Sequence, residues 1–226
     1  MPFPSIITIT APVNATLDAI GVSRPAEYRF GDILFTVVFV DAGFGNTIDT
    51  YNPAGLNSST LLANTAAGVR RGVALYSYER ENETTQTIYV TTSAADSTLT
   101  ACTVLVRDGK ILSDGVHAVG TVGVNSSTTP SPASITTTID ESLALACILY
   151  DNTGTITNIS SNSWAQFGAV QNDTVRSISV QMRPVGSAAT ISGGTATLGT
   201  SGNWGVITFA VKPAVPLFLP SSVQVS

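Results

Sequence analysis

The sequence predicts an all-β fold, a jelly-roll-like β-sandwich built from two similar four-stranded halves, and three observations predict it. Hydrophobic residues make up 43% of the 226 positions but charged residues only 11%, so the polar surface falls to Thr, Ser, Asn and Gly. Thr, Val and Ile suit a pleated, half-buried surface, while Ser, Asn and Gly supply turns. Two runs, residues 33–40 (ILFTVVFV) and 143–150 (LALACILY), are apolar at nearly every position. Strands of that kind are covered on both faces and hold central places. Finally, two long stretches with the same layout can be laid over each other.

The elements follow in order along one domain, residues 1–226. An N-terminal arm, residues 1–29, carries the β-branched stretch SIITIT. The first half, residues 32–108, opens with the apolar run and continues with the loop GNTIDTYNPAGLNSS. It then passes through VRRGVALYSY from Val69, a charged turn, QTIYVTTS and STLTACTVLVRDG. A bridge, residues 110–140, holds VHAVGTVGV, ASITTTI and the break SSTTPSP, which no central strand can cross. The second half, residues 141–213, runs through SLALACILYDN, TGTITNISSNSW, VRSISVQMRP from Val175, TISGGTATLG and NWGVITFAVKP. Each half thus has four strand candidates in one order, and the Val-Arg pairs at Val69-Arg70 and Val175-Arg176 set the offset. The tail, residues 214–226, places Leu217, Phe218 and Leu219 between two prolines. It cannot be a regular helix, and as an extended apolar arm it must fold back on the core or dock on a neighbour.

Charge excludes several functions. With ten Lys and Arg against fifteen Asp and Glu, a net charge of −5 and only Arg70 and Arg71 adjacent, no nucleic-acid partner is expected. No run reaches the roughly 18 apolar residues of a transmembrane helix. The start MPFPSIITIT has no basic segment followed by a continuous apolar stretch, so the chain reads as soluble and unexported, without membrane insertion. Six Asn-x-Ser/Thr triplets, at Asn14, Asn57, Asn82, Asn125, Asn158 and Asn172, follow from composition.

The search for chemistry expects no catalysis, no cofactor and no metal. Cys102 and Cys147 lie in apolar runs without metal or redox spacing and read as buried free thiols, a disulfide remaining open. The lone histidine, His117, stands in GVHAVGTVG with no nucleophile elbow nearby. Asp41, Asn46 and Asp49, with Asp151 and Asn152 in the second half, offer oxygen ligands for calcium. Asp and Asn are equally ordinary turn formers. Tyr51, Trp164 and Phe167 fall in equivalent loops, where they would stack on a sugar, anchor a protein contact or cap the core. With Leu217, Phe218 and Leu219 they are the candidate interaction residues.

Residues 25–41 (PAEYRFGDILFTVVFVD), the loop Asn52-Pro53-Ala54-Gly55-Leu56 and the closing segment from Trp204 to Pro213 carry a family resemblance. The chain resembles phage- and prophage-encoded β-sandwich virion proteins of the tail-appendage or capsid-decoration type. Gly31-Asp32-Ile33-Leu34, Pro53-Ala54-Gly55 and the stretch from Ile207 to Ala214 stand where that group has its opening, loop and last strand; Leu56 replaces an expected aromatic. The resemblance covers most of residues 25–214 and implies a virion component made in the host cytoplasm. Its partners would be other virion proteins and copies of itself. It implies no catalytic residues. The alternative is a carbohydrate- or receptor-binding adhesin that takes a host surface glycan.

Overall fold

The structure is a computed structural model that describes residues 3–11, 13–16, 19–29, 31–41, 48–50, 59–64, 71–78, 87–92, 98–109, 116–121, 123–152, 154–160, 164–172 and 176–214. Among these there is no helix and there are seventeen strands. They are β1 (Ser5–Ile9), β2 (Val13–Thr16), β3 (Ala19–Ser23), β4 (Ile33–Asp41), β5 (Ile48–Thr50), β6 (Ser59–Asn64), β7 (Arg71–Tyr78), β8 (Thr87–Thr92) and β9 (Thr98–Arg107). Then come β10 (Val116–Val119), β11 (Gly123–Ser127), β12 (Ile135–Thr136), β13 (Ser142–Tyr150), β14 (Ala165–Asn172), β15 (Arg176–Val185), β16 (Thr190–Ile191) and β17 (Gly202–Val211).

Two large antiparallel sheets dominate. The first runs β1-β9-β4-β7-β6, with β2 also on β9; the second runs β10-β17-β13-β15-β14, with β11 also on β17. Each is drawn from one continuous stretch of chain. A three-stranded sheet, β3-β8-β5, and a two-stranded one, β12-β16, are smaller.

The large sheets face each other, as in a sandwich, because their central strands carry apolar side chains at every second position. Ile33, Phe35, Val37 and Phe39 of β4, with Cys102, Val104 and Val106 of β9, meet Leu143, Leu145, Cys147 and Leu149 of β13 and Ile207, Phe209 and Val211 of β17. Phe35 and Phe209 touch across this core with ring centroids 4.8 Å apart. At one edge β1 lies against β14, and at the other β10 and β11 lie against β6 and β7. The two sheets therefore stack in opposite strand order.

The alternate positions are buried too. On the second sheet Ala144, Ala146, Ile148 and Tyr150 pack beneath Ile135, Ile156, Trp164, Ile191 and Leu198. On the first, Leu34, Thr36 and Val38 are buried, and β3 and β5 lie against β9 and β7. Cover on both faces is what the two continuous apolar runs require, and β4 and β13 sit in the middle of their sheets as that requirement predicts.

The arm and the bridge supply strands, as SIITIT and VHAVGTVGV lead one to expect, and β1, β2, β10 and β11 join the large sheets directly. Two expectations change. The expected third strands do not join the large sheets: β8 belongs to the three-stranded sheet, and only Thr190–Ile191 of TISGGTATLG is paired as a strand. Two edge strands, β6 and β14, had no counterpart in the sequence reading. AQFGAVQN lacks clear alternation and is rich in Ala, Gly and amides, so its propensity is weak and its pairing with β15 places it.

Candidate interaction surfaces

Trp164 is only 5% exposed. Its indole Nε1–H donates to the Ser192 carbonyl at 3.2 Å, and its ring belongs to the core on the outer face of the second sheet. It caps that core and offers no ring face for stacking. Trp204 on β17 is equally buried, with Nε1–H donating to Ser127 Oγ at 3.0 Å.

Phe167 lies on strand β14, not in a loop. The register of β14 on β15 shifts between Gln166 and Gly168, so Phe167 is the extra residue of a β-bulge, 37% exposed. Tyr51, Leu217, Phe218 and Leu219 lie outside the described residues, and so does Asn46. His117 falls on β10, with its side chain outside the described set.

Of the acidic calcium candidates, Asp151 is held in an ion pair. Asp151 Oδ1 accepts from Arg176 Nε at 2.7 Å, and Arg176 Nη2 comes to 2.6 Å of the same oxygen. Arg176 is almost fully buried, so this carboxylate is committed to balancing a cation that has left water. Asp41 and Asp49 are on strands β4 and β5, and Asp41 stands opposite Arg71 in the register of β4 on β7. Among the described residues no group of three or more His, Cys, Asp or Glu could hold a metal ion.

A second ion pair explains the opening of the first half. Gly31 has φ 92°, a conformation that favours glycine, and Asp32 follows it, buried at the start of β4. Arg107 grips Asp32 with both ends of its fork, Nε to Oδ1 at 2.8 Å and Nη2 to Oδ2 at 2.7 Å. The Arg29 backbone N–H donates to Oδ2 at 2.9 Å. The hydrogen bond to Asp32 holds the Arg107 guanidinium above its ordinary pKa. The Gly31-Asp32 pair thus joins the entry of β4 to the end of β9. No sequence signal singled out Arg107, seventy-five residues away.

Cys102 and Cys147 are both buried free thiols in the inter-sheet core. Burial pushes Cys102 up to about 12 and Cys147 well above the usual thiol range, the charge of Cys102 adding to the latter. Both stay protonated near neutrality, and neither is a nucleophile there.

The chain matches no protein-family model, no curated protein and no solved structure. Of the large hydrophobic side chains exposed among the described residues, Phe167 is on β14, Val119 on β10 and Phe3 just ahead of β1, and Ile139 is in the turn before β13. Three of the four lie on or beside outer strands of the large sheets.

Proposed function

We propose that this chain is a structural component of a bacteriophage particle, assembling on the capsid surface or in the tail through protein–protein contacts. The observation that carries the reading is a strand order used twice. Taking β1 and β2 as one interrupted strand, the first half runs through eight strands to β9. The first, eighth, third and sixth lie side by side in the large sheet, and the second, seventh and fourth in the small one.

The second half repeats this scheme. There β10/β11, β17, β13 and β15 form the large sheet and β12 pairs with β16, while Ile156 bridges Leu198 where the fourth strand would lie. In this reading each half is a jelly roll of its own, larger than the four-stranded unit expected from sequence, and it takes in the arm and the bridge. One departure is common to both halves: the fifth strand, β6 or β14, pairs with the sixth at the edge of the large sheet.

Jelly rolls recur in viral capsid and lectin domains, which is fold-level analogy and not a property of a site. The resemblance of residues 25–214 to phage virion proteins points the same way. So does the engagement of Asp32 and Asp151 with arginines, which leaves those carboxylates holding the fold together. The adhesin alternative loses its leading residue with the burial of Trp164.

Quantitative mass spectrometry of purified particles tests the proposal. Copies in the hundreds per particle would mean shell and a handful would mean tail. Absence from washed particles would overturn it.

A further inference from the structure

We infer that the chain is a covalently joined dimer of one domain: residues 5–108 and 115–213 are two versions of the same unit, paired through the inner faces of their large sheets about a two-fold axis that runs along the strands. This rests on the two-jelly-roll reading above and is independent of the virion role.

The halves correspond residue by residue. The pairing registers set Ile6 against Val116 and Val37 against Cys147, 110 positions on, and Leu75 against Val180 and Cys102 against Ile207, 105 positions on. The first offset holds for β1, β2 and β4 and the second for β6, β7 and β9, so the change of five falls between β4 and β6. Even the irregularities repeat. On β9 the register of β1 shifts between Ile6 and Thr8, and on β17 that of β10 shifts between Val116 and Ala118. On β7 the register of β6 shifts between Leu61 and Ala63, and on β15 that of β14 shifts between Gln166 and Gly168. The Thr10 N–H donates to the Thr103 carbonyl at 3.0 Å, and its equivalent, the Gly120 N–H, to the Thr208 carbonyl at 2.7 Å. Bulges are inherited features of a family, and matched sets of them are not a general property of β proteins. Asp41 and Arg71, opposite each other in register, fall on the ion pair of Asp151 and Arg176. Divergence accounts for an orphaned group as well. Thr103 Oγ1 donates to Thr10 Oγ1, whereas buried Thr208 Oγ1 has no partner among the described residues, because Gly120 stands in the place of Thr10.

The contact between the halves has two-fold geometry. A Cβ at Gly109 would lie 2.9 Å from both Ile33 and Val211, and Phe35 meets Phe209 two residues along. Val211 and Phe209 pair with Leu143 and Leu145, so Ile33 and Phe35 stand level with their own equivalents and β4 runs in the same direction as β13. Strand order is reversed, with β1 against β14 and β10 against β6. Equal level, equal direction and reversed order together describe a half-turn about an axis along the strands. Such an interface is isologous, every contact recurring with the roles exchanged. Phe35 with Phe209 recurs as Leu145 with Val104, and Val37 with Ile207 as Cys147 with Cys102, all in the inter-sheet core. The charge of Cys102 acts on Cys147, as neighbours across that core require. The exits of the halves meet in the same way: Gly109 bridges Pro213, and the Ala214 N–H donates to the Asp108 carbonyl at 2.7 Å. In an assembly such a chain stands in for a two-fold dimer, and the bulged edges β6 and β14 are one pair of equivalent surfaces.

Transposing the halves tests the inference. One permutant starts at Val116, runs through Ser226 into Met1 and ends at Gly115, keeping every residue. By the two-fold, the gap from Pro213 to Ile6 equals the gap from Asp108 to Val116 that residues 109–115 span. A second permutant therefore replaces residues 214–226 and 1–5 with a copy of 109–115. Both are expected to be monomers with the circular dichroism of wild type and, in urea, an unfolding constant within about tenfold of its value, the range of well-accommodated changes. The full-length permutant reports on folding in the transposed order and the short join on equality of the gaps. Folding of the short-join form upholds the inference. Its failure overturns the inference, through unequal gaps if the full-length permutant folds and through dependence on the order of the halves if neither does. Absence of the chain from particles sinks only the virion role.

Discussion

Phe209→Ala is the sharpest test of how the two sheets meet. Phe209 is fully buried on β17, and its ring stands 4.8 Å from that of Phe35 on β4, centroid to centroid, at 51° between planes. A phenyl side chain buries about 150–250 Å², which at about 25 cal/mol per Å² corresponds to about 4–6 kcal/mol of transfer free energy. Partial collapse of the site brings the measured cost of such truncations to about 3–5 kcal/mol. The tilted ring pair adds a coupling of about 0.5–1.5 kcal/mol. Urea denaturation of wild type, Phe35→Ala, Phe209→Ala and the double variant gives both quantities, because the cycle isolates the pair. Phe35 and Phe209 are 174 positions apart and on different sheets, so coupling reports directly on face-to-face packing. A loss below about 1 kcal/mol for Phe209→Ala, or a coupling indistinguishable from zero with both single variants destabilised, would refute the facing-sheet arrangement.

Three further outcomes are expected. Gly193→Ala should cost more than about 2 kcal/mol, because a Cβ there would fall 1.6 Å from the Pro132 carbonyl oxygen, whereas Gly186→Ala meets nothing within 4 Å and should unfold at the wild-type urea midpoint. Trp164→Ala should lower stability by about 3–5 kcal/mol, as for other buried aromatics; a variant that folds as well as wild type would return Trp164 to the surface. Alkaline titration should expose the thiols. Cys102 titrates at about 12 in the fold against the ordinary 9, so above pH 9 the unfolded chain releases a proton that the native one retains. Stability is intact below pH 9 and falls by about 1.4 kcal/mol per pH unit for this group as pH rises towards 12. Cys102→Ala should be less stable at neutral pH yet lose less between pH 9 and 11, and equal slopes in urea midpoints would contradict the burial of the thiol.

The legible parts of the fold were those with dense apolar patterning. ILFTVVFV and LALACILY announced β4 and β13 as central strands, since no half-exposed strand tolerates such a run. The edge strand β14 gave no comparable signal. A strand paired on one side needs little hydrophobic alternation, and Ala165, Gln166 and Gly168 supply almost none. Trp164 was legible as a loop aromatic capping the core, but not the residues it caps, because its packing partners, Ile191 and Leu198, arrive from elsewhere in the chain. Phe167 lies three residues on and faces solvent, a distinction set by the bulge.

By itself the sequence determined the all-β class, the two doubly covered central strands, the thiols' burial and the poverty of charge, since these depend on composition and on patterns a few residues long. Only the tertiary structure decided that Arg107 grips Asp32 and Arg176 grips Asp151, and that the arm and bridge complete the large sheets. It also decided which strands stand at the edges. Edge and centre differ by what lies alongside, and in an antiparallel sheet that neighbour is chosen by register and packing between residues a hundred positions apart. The uncharged strands were visible in the sequence; their place at the rim of the sheets was not.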